Sequence, residues 1–192
     1  MTPKILVFAG STRKGSLNVK LAETLVAALE KKGAEVTHLH LEDYDLPVYN
    51  ADIEMPDHAN ELARLFSDHD GLTLVSPEYN ASLTPLMKNT LDWVSVTSNP
   101  DDESFGPYKA KPCFLAACSP GSTGGLRGLY HLRAVLMNVG AEILTSQLAV
   151  PNGGSAFAEE AGVLTNDRVN AIMHAGLDDL ILAAKRAKAV PA

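Results

Sequence analysis

A chain of 192 residues, 46% of them apolar, is long enough to bury one sizeable core and reads as a single domain over 1–192. Its formal net charge of −7 argues against a nucleic-acid or anionic-membrane surface. No run approaches the ~20 apolar residues that span a bilayer, the opening Met-Thr-Pro-Lys is no secretory leader, and two cysteines make no disulfide framework, so a cytoplasmic protein is expected.

Lys4–Ala9 carries five consecutive apolar residues, the pattern of a strand covered on both faces. The polar stretch Gly10-Ser-Thr-Arg-Lys-Gly-Ser-Leu-Asn18 follows it. A helix then runs from about Ser16 to Lys32, with Leu17, Leu21, Leu25 and Leu29 at i+4 spacing and Gly33 as its stop. Strand, Gly/Ser loop and helix start, in that order, make a place to hold a phosphate. The helix N-terminus offers unpaired N–H donors and a positive dipole end. Gly10 and Gly15 let the backbone approach closely. Ser11, Thr12 and Ser16 add hydroxyls, and Arg13 adds a forked cation. A P-loop is excluded, because Gly15 is followed by Ser16 and Leu17 where Lys and Ser/Thr are required. The GxGxxG fingerprint fails at Thr12. Turns of this composition also occur without a ligand.

Glu35–Leu41 reads as the second strand, with His38 and His40 on one face. No third ligand lies nearby in sequence, so a polar face near a sheet edge is expected and no metal. Residues 42–55 form a long loop, either a rim over a site or an acidic solvated segment. A helix follows Pro56 with Leu62, Leu65 and Phe66 inward. Gly71–Val75 is the third strand, and Ser76-Pro-Glu-Tyr-Asn-Ala-Ser-Leu-Thr-Pro85 is a stiff polar turn. The next helix, about Pro85–Val96, is apolar around more than one stripe. That suits a second buried contact, with another subunit or within the chain. Residues 97–110 form another polar loop.

Pro112–Cys118 is the fourth strand. Cys113 and Cys118 face opposite sides of it, so they cannot pair and read as reduced core residues. The Gly-rich Ser119-Pro-Gly-Ser-Thr-Gly-Gly125 leads into a helix with Leu126, Leu129, Leu132, Val135, Leu136 and Val139 at helical spacing, closed by Gly140. Glu142–Val150 is the fifth strand. A last helix, about Asp167–Lys188, turns Val169, Ile172, Leu177, Leu180 and Ile181 inward. Alternating strands and helices imply an α/β fold, a doubly wound five-stranded parallel sheet in the order 2-1-3-4-5 with helices on both faces. Loops 10–18, 76–85 and 119–125 then follow strands one, three and four. They surround the crevice where strand order reverses, the usual ligand position in such sheets.

On these motifs the chain resembles the NADPH-dependent FMN reductase family, a flavodoxin-like group of quinone, azo-dye and chromate reductases. Gly10-Ser-x-Arg13-x-x-Ser16-x-Asn18 is similar to the family's phosphate loop, and Pro77-Glu-Tyr-Asn80-x-Ser82-x-x-Pro85 to its flavin-ring loop. Lys88-Asn89-x-Leu91-Asp92-Trp93 is similar to the helix after it, and Ser119-Pro-Gly-x-x-Gly-Gly125 to its third flavin loop. The likeness spans about 4–188. It implies FMN bound without a metal: phosphate at Ser11, Arg13, Ser16, Leu17 and Asn18; the isoalloxazine along Pro77, Glu78, Tyr79 and Asn80; its pyrimidine side near Ser119, Gly121, Gly124 and Gly125. It further implies NADPH or NADH as co-substrate, a ping-pong passage of two electrons to a small acceptor (a quinone, flavin, azo compound or chromate-like oxyanion), no residue acting as general acid or base, and a homodimer or homotetramer. Glu78 and Tyr79 are candidates for ring contact or nicotinamide positioning, with a solvated loop carboxylate as the other reading of Glu78. The alternative activity is that of a flavodoxin-like one-electron carrier without its own NAD(P)H oxidation, from which the arginine at Arg13 sets this loop apart.

Overall fold

A computed structural model of the protein describes residues 2–97 and 106–189. Five parallel strands form one sheet in the order β2-β1-β3-β4-β5. In chain order the elements are β1 (Lys4–Ala9), α1 (Leu17–Lys31), β2 (Glu35–Leu39), α2 (Asp57–Asp68), β3 (Gly71–Val75), α3 (Pro85–Ser95), β4 (Pro112–Cys118), α4 (Leu126–Asn138), β5 (Glu142–Val150) and α5 (Asp167–Ala189). β1 lies between β2 and β3, pairing Ile5 with Val36 on one side and with Gly71 on the other. The strand order therefore reverses beside β1 and β3, where the sequence places the crevice.

The sheet is apolar on both faces because both are covered. Ile5, Val7, Val75 and Phe114 pack under α1 and α5, while Leu6, Phe8, Leu72, Leu74 and Leu115 pack under α2, α3 and α4. Cys118 belongs to the first layer and Cys113 to the second, so the free thiols do face opposite sides. Burial pushes the Cys113 thiol far up and the Cys118 thiol up to about 11. Neither forms thiolate readily at neutral pH.

Two sequence expectations need correction, and one left open is decided. β2 ends at Leu39, and Leu41–Asp43 forms a 3-10 turn that buries Leu41 against the α2/α3 layer. An apolar residue two positions beyond a strand can be buried without extending it. In α5 Leu177 and Leu180 are buried and Val169 and Ile181 pack against the same layer, but Met173 and Ala184 join them and Ile172 is 41% exposed. Gly176 sets that rotation: a Cβ there would collide with the Phe114 ring, so its side of the helix lies on β4. The second apolar stripe of α3 is covered by the chain itself. Trp93 is buried, its Nε1 donates to Pro47 O at 2.7 Å, and the Tyr49 ring stands edge-on to it at 4.9 Å. Asn89 fastens the same loop, donating from Nδ2 to Pro47 O and accepting from Tyr49 N–H. Residues 42–55 are thus pinned to α3. Of the polar loop expected at 97–110, residues 98–105 lie outside the described residues.

The segment between β5 and α5 straps across α1. Lys20 Nζ lies 4.8 Å from the Phe157 ring centroid, and Lys31 Nζ donates to Glu160 Oε1 and Ala161 O, each at 2.8 Å. Gly162, at φ 79°, lies close against the Ala28 backbone.

Candidate cofactor site

The loops after β1, β3 and β4 meet at the carboxyl edge of the sheet, and each is tied to the others by named bonds. The first is held by the start of α3. Thr84 Oγ1 donates to Gly10 O at 2.8 Å and accepts from Met87 N–H, so one hydroxyl caps α3 and anchors the loop. A Cβ on Gly10 would lie 2.9 Å from Met87 Cβ and from Thr84 Oγ1, which makes glycine obligatory there. Thr84 was missed in the sequence. Its signal was the Thr-Pro pair, a capping residue followed by proline at the first helical position.

Within the loop, Ser16 is the N-cap of α1, its Oγ accepting from Asn18 N–H and Val19 N–H. Asn18 is buried with its Oδ1 and one Nδ2 hydrogen engaged by the Cys118 peptide, so its side chain ties α1 to β4. Thr12, Arg13, Lys14 and Gly15 are exposed, Ser11 and Leu17 half-buried. The N–H groups of Thr12, Lys14, Gly15 and Leu17 donate to no described atom, and the Arg13 guanidinium makes one long bond, to Gly15 O at 3.4 Å. Four amides without a described partner, a cation and a helix N-terminus are the donor set of an oxyanion site.

In the second loop, Tyr79 and Ser82 pair as a two-residue hairpin, with Asn80 at φ 50° and Ala81 at φ 63°. Both central residues are left-handed, as a type I′ turn requires. Pro77 is buried, Tyr79 and Asn80 are exposed, and the Glu78 side chain is only 8% exposed. Its carboxylate accepts from Arg127 N–H at 3.0 Å, Gly128 N–H at 3.2 Å and Arg127 Nε at 2.9 Å, and pairs with the second guanidinium nitrogen as well. α4 begins at Gly125 without a side-chain cap of its own; Glu78 supplies that cap from another loop. Burial alone would raise the Glu78 carboxyl, but the Arg127 and Gly128 bonds outweigh it and hold it below its ordinary range. A solvated Glu78 is therefore not what the fold contains. His131 Nδ1, 3.0 Å from Ser82 Oγ, adds a further tie between hairpin and α4.

In the third loop, Ser119 is half-buried and Gly121 exposed, while Gly124 and Gly125 are buried at φ 63° and 90°. A Cβ on Gly124 would sit 2.7 Å from Val150 N, and one on Gly125 2.6 Å from Ala117 Cβ. The sheet itself demands glycine at these positions, so that α4 can start directly above β4 and β5.

A cleft of about 270 Å³ opens on the β2 side of the first loop, bounded by Ser11, Arg13, Lys14, Glu23, His38 and His40. The two imidazole rings lie 4.2 Å apart between centroids, tilted by 47° to each other. Burial first, then the neighbouring His40, lowers the His38 pKa, against a smaller upward pull from Glu23. Among the described residues no three His, Cys, Asp or Glu side chains are grouped to hold a metal.

The sequence profile described as NADPH-dependent FMN reductase matches residues 3–155. A quinone reductase of Escherichia coli is 34% identical over 145 residues, 73% of each chain. An NAD(P)H-dependent FMN reductase of Pseudomonas aeruginosa is 27% identical over 187 residues, 95% of this chain and 96% of that one. Among solved structures, the flavoenzyme NAD(P)H:(acceptor) oxidoreductase FerB of Paracoccus denitrificans superposes with a TM-score of 0.81 at 26% identity, covering 96% of this chain and 98% of its own.

Proposed function

This chain belongs to the NADPH-dependent FMN reductase family, and on that premise we propose that it oxidises NADPH or NADH and passes two electrons to a small acceptor in ping-pong order. That acceptor is a quinone, free flavin, an azo compound or a chromate-like oxyanion. Bound FMN supplies the redox chemistry, a ring that takes up a hydride and releases electrons to an acceptor. The observation that carries the reading is the set of amides at Thr12, Lys14, Gly15 and Leu17 with no partner among the described residues, beside Arg13, at the point where three interlocked loops meet. That donor set fits the phosphate of FMN.

The protein's own part is binding and orientation. Arg13 and the loop amides hold the phosphate, with Ser11 and Ser16 hydroxyls beside them. Asn18 acts one step back, fixing the first loop to β4. The Pro77–Asn80 backbone and the amides between Ser119 and Gly125 border the ring, and the Glu78–Arg127 pair fixes their separation. N–H donors along the pyrimidine side favour the electron-rich reduced form. No side chain is required to move a proton.

The reading extends to a cytoplasmic homodimer or homotetramer. Tyr130 and Met137, 55% and 61% exposed on α4, offer apolar surface for assembly. Among the described residues no helix is long and apolar enough to cross a membrane.

The test is the visible spectrum of protein loaded with FMN and desalted, followed by anaerobic titration with NADPH. Retained yellow colour bleached by one equivalent of NADPH is expected, with parallel initial-rate lines across paired substrate concentrations. Colour lost on desalting, or retained but not bleached by NADPH, refutes the proposal; intersecting lines refute the ping-pong order alone.

A further inference from the structure

A second opening of about 250 Å³ lies between the end of β5 and the start of α5, apart from the phosphate cleft. Val150, Ala156, Leu164 and Val169 give it apolar walls, and Asn152 and Asn166 line its exposed side. No lining side chain carries a charge. Its hydroxyls are engaged within the loop: Ser155 Oγ donates to Asn152 O and Thr165 Oγ1 to Ser155 O. The two amides are different. The Asn152 side chain has no described partner at either end. Asn166 accepts from Val169 N–H through Oδ1, capping α5, and its Nδ2 has no described partner.

We propose that this opening receives the adenine of the nicotinamide dinucleotide, an inference that rests on the function proposed above. A phosphate or an ion finds no counter-charge here. A flat, neutral ring with donors and acceptors along one edge finds apolar walls for its faces and carboxamides for that edge. The volume falls below the ~300 Å³ at which drug-sized pockets begin, and suits one ring system better than a whole dinucleotide. The position agrees. Asn152 N–H donates to Gly121 O and Gly153 N–H to Ser119 O, so the wall of the opening is bonded to the third loop of the cofactor site. Neighbouring strands lie about 4.8 Å apart, which leaves the opening on β5 within a dinucleotide's span of the loop on β4.

The experiment uses the FMN-loaded full chain and two substitutions chosen to spare the fold. Asn152 lies at φ 53°, so Asn152→Gly keeps its left-handed backbone. Asn166→Ser keeps an acceptor for the α5 cap. Adenosine is titrated by calorimetry, and KM is measured for NADPH and for a truncated dihydronicotinamide lacking the adenosine half. The expected result is adenosine binding that competes with NADPH and weakens about tenfold in the double variant, with KM for NADPH rising by a similar factor relative to the truncated donor. Absence of adenosine binding, or KM rising equally for both donors, overturns the proposal. Adenosine bound without competition overturns it in favour of a free-nucleoside site. If neither donor is oxidised while adenosine binding still depends on the two amides, the oxidoreductase function fails and the adenine site stands. If both donors are oxidised with no adenosine bound, the function stands and the adenine site fails.

Discussion

The Asn18 side chain and the Cys118 peptide, 100 residues apart, exchange two hydrogen bonds: Nδ2 donates to Cys118 O at 2.9 Å and Cys118 N–H donates to Oδ1 at 2.8 Å. A side-chain amide here completes the ladder that ends β4 and so fixes the start of α1 against the sheet. Asn18→Ala leaves a buried N–H and a buried C=O without partners, each worth about 1–3 kcal/mol. We expect a loss of about 3 kcal/mol, read in urea denaturation, and at least tenfold weaker FMN binding from a loop that has lost its anchor. Unchanged stability would mean that water replaces the amide without cost.

Glu78 gives a prediction with a pH signature. Its carboxyl is held below its ordinary value of 4.5 in the fold. The unfolded chain therefore binds the proton more readily, and the contribution of Glu78 to stability is complete above pH 4.5 and lost as pH falls through the folded value. Glu78→Gln keeps the shape and removes the charge. It should cost about 1 kcal/mol at pH 7, the scale of a lost helix cap, and the gap from the native protein should close as melts are taken to acid pH through the lowered folded value. A gap that stays constant with pH would show that the carboxylate's charge does not hold Arg127 and the start of α4.

How far these arrangements are legible in sequence depends on the distance over which they act. β1, β3 and β4 are legible as short, nearly continuous apolar runs because both their faces are buried, whereas β5 carries Thr145, Ser146 and Gln147 in its middle and is half-buried over most of its length. The three loops are legible because glycine, serine and proline mark backbone geometry locally. What Asn18 bonds is not, since the same amide suits a phosphate or a peptide and only the fold brings Cys118 to it. Gly124 and Gly125 likewise show that backbone approaches something closely, and the structure identifies it as β5 and β4. The cover over Trp93 comes from Pro47 and Tyr49, whose loop has no periodicity to reveal where it docks.

The hairpin turn offers a stabilising change. Ala81 sits at φ 63°, a conformation that costs a residue with a Cβ about 1 kcal/mol. Ala81→Gly removes that strain and should raise stability by about 0.5 kcal/mol after the added freedom of the unfolded chain is subtracted. Gly125→Ala should act oppositely and more strongly, since its Cβ would meet Ala117 Cβ at 2.6 Å on a backbone at φ 90°. Thermal melts of the two variants should move in opposite directions. If Ala81→Gly lowers the midpoint, the turn is not strained.

Arg13 separates phosphate recognition from ring recognition. Its guanidinium is exposed and makes only a 3.4 Å bond to Gly15 O, so little of the fold depends on it. Charge-assisted hydrogen bonds to an anion contribute about 1.5–3 kcal/mol. Arg13→Ala should therefore weaken FMN binding by about 10–100-fold while leaving the melting midpoint of the ligand-free protein within a degree or so. Riboflavin has the same ring and no phosphate, so its affinity should not change. Fluorescence quenching titrations of both flavins against native and variant protein measure the two constants directly. Equal loss for both would place Arg13 at the ring or in the structure of the loop. No loss for either would move the phosphate away from the loop between Gly10 and Asn18.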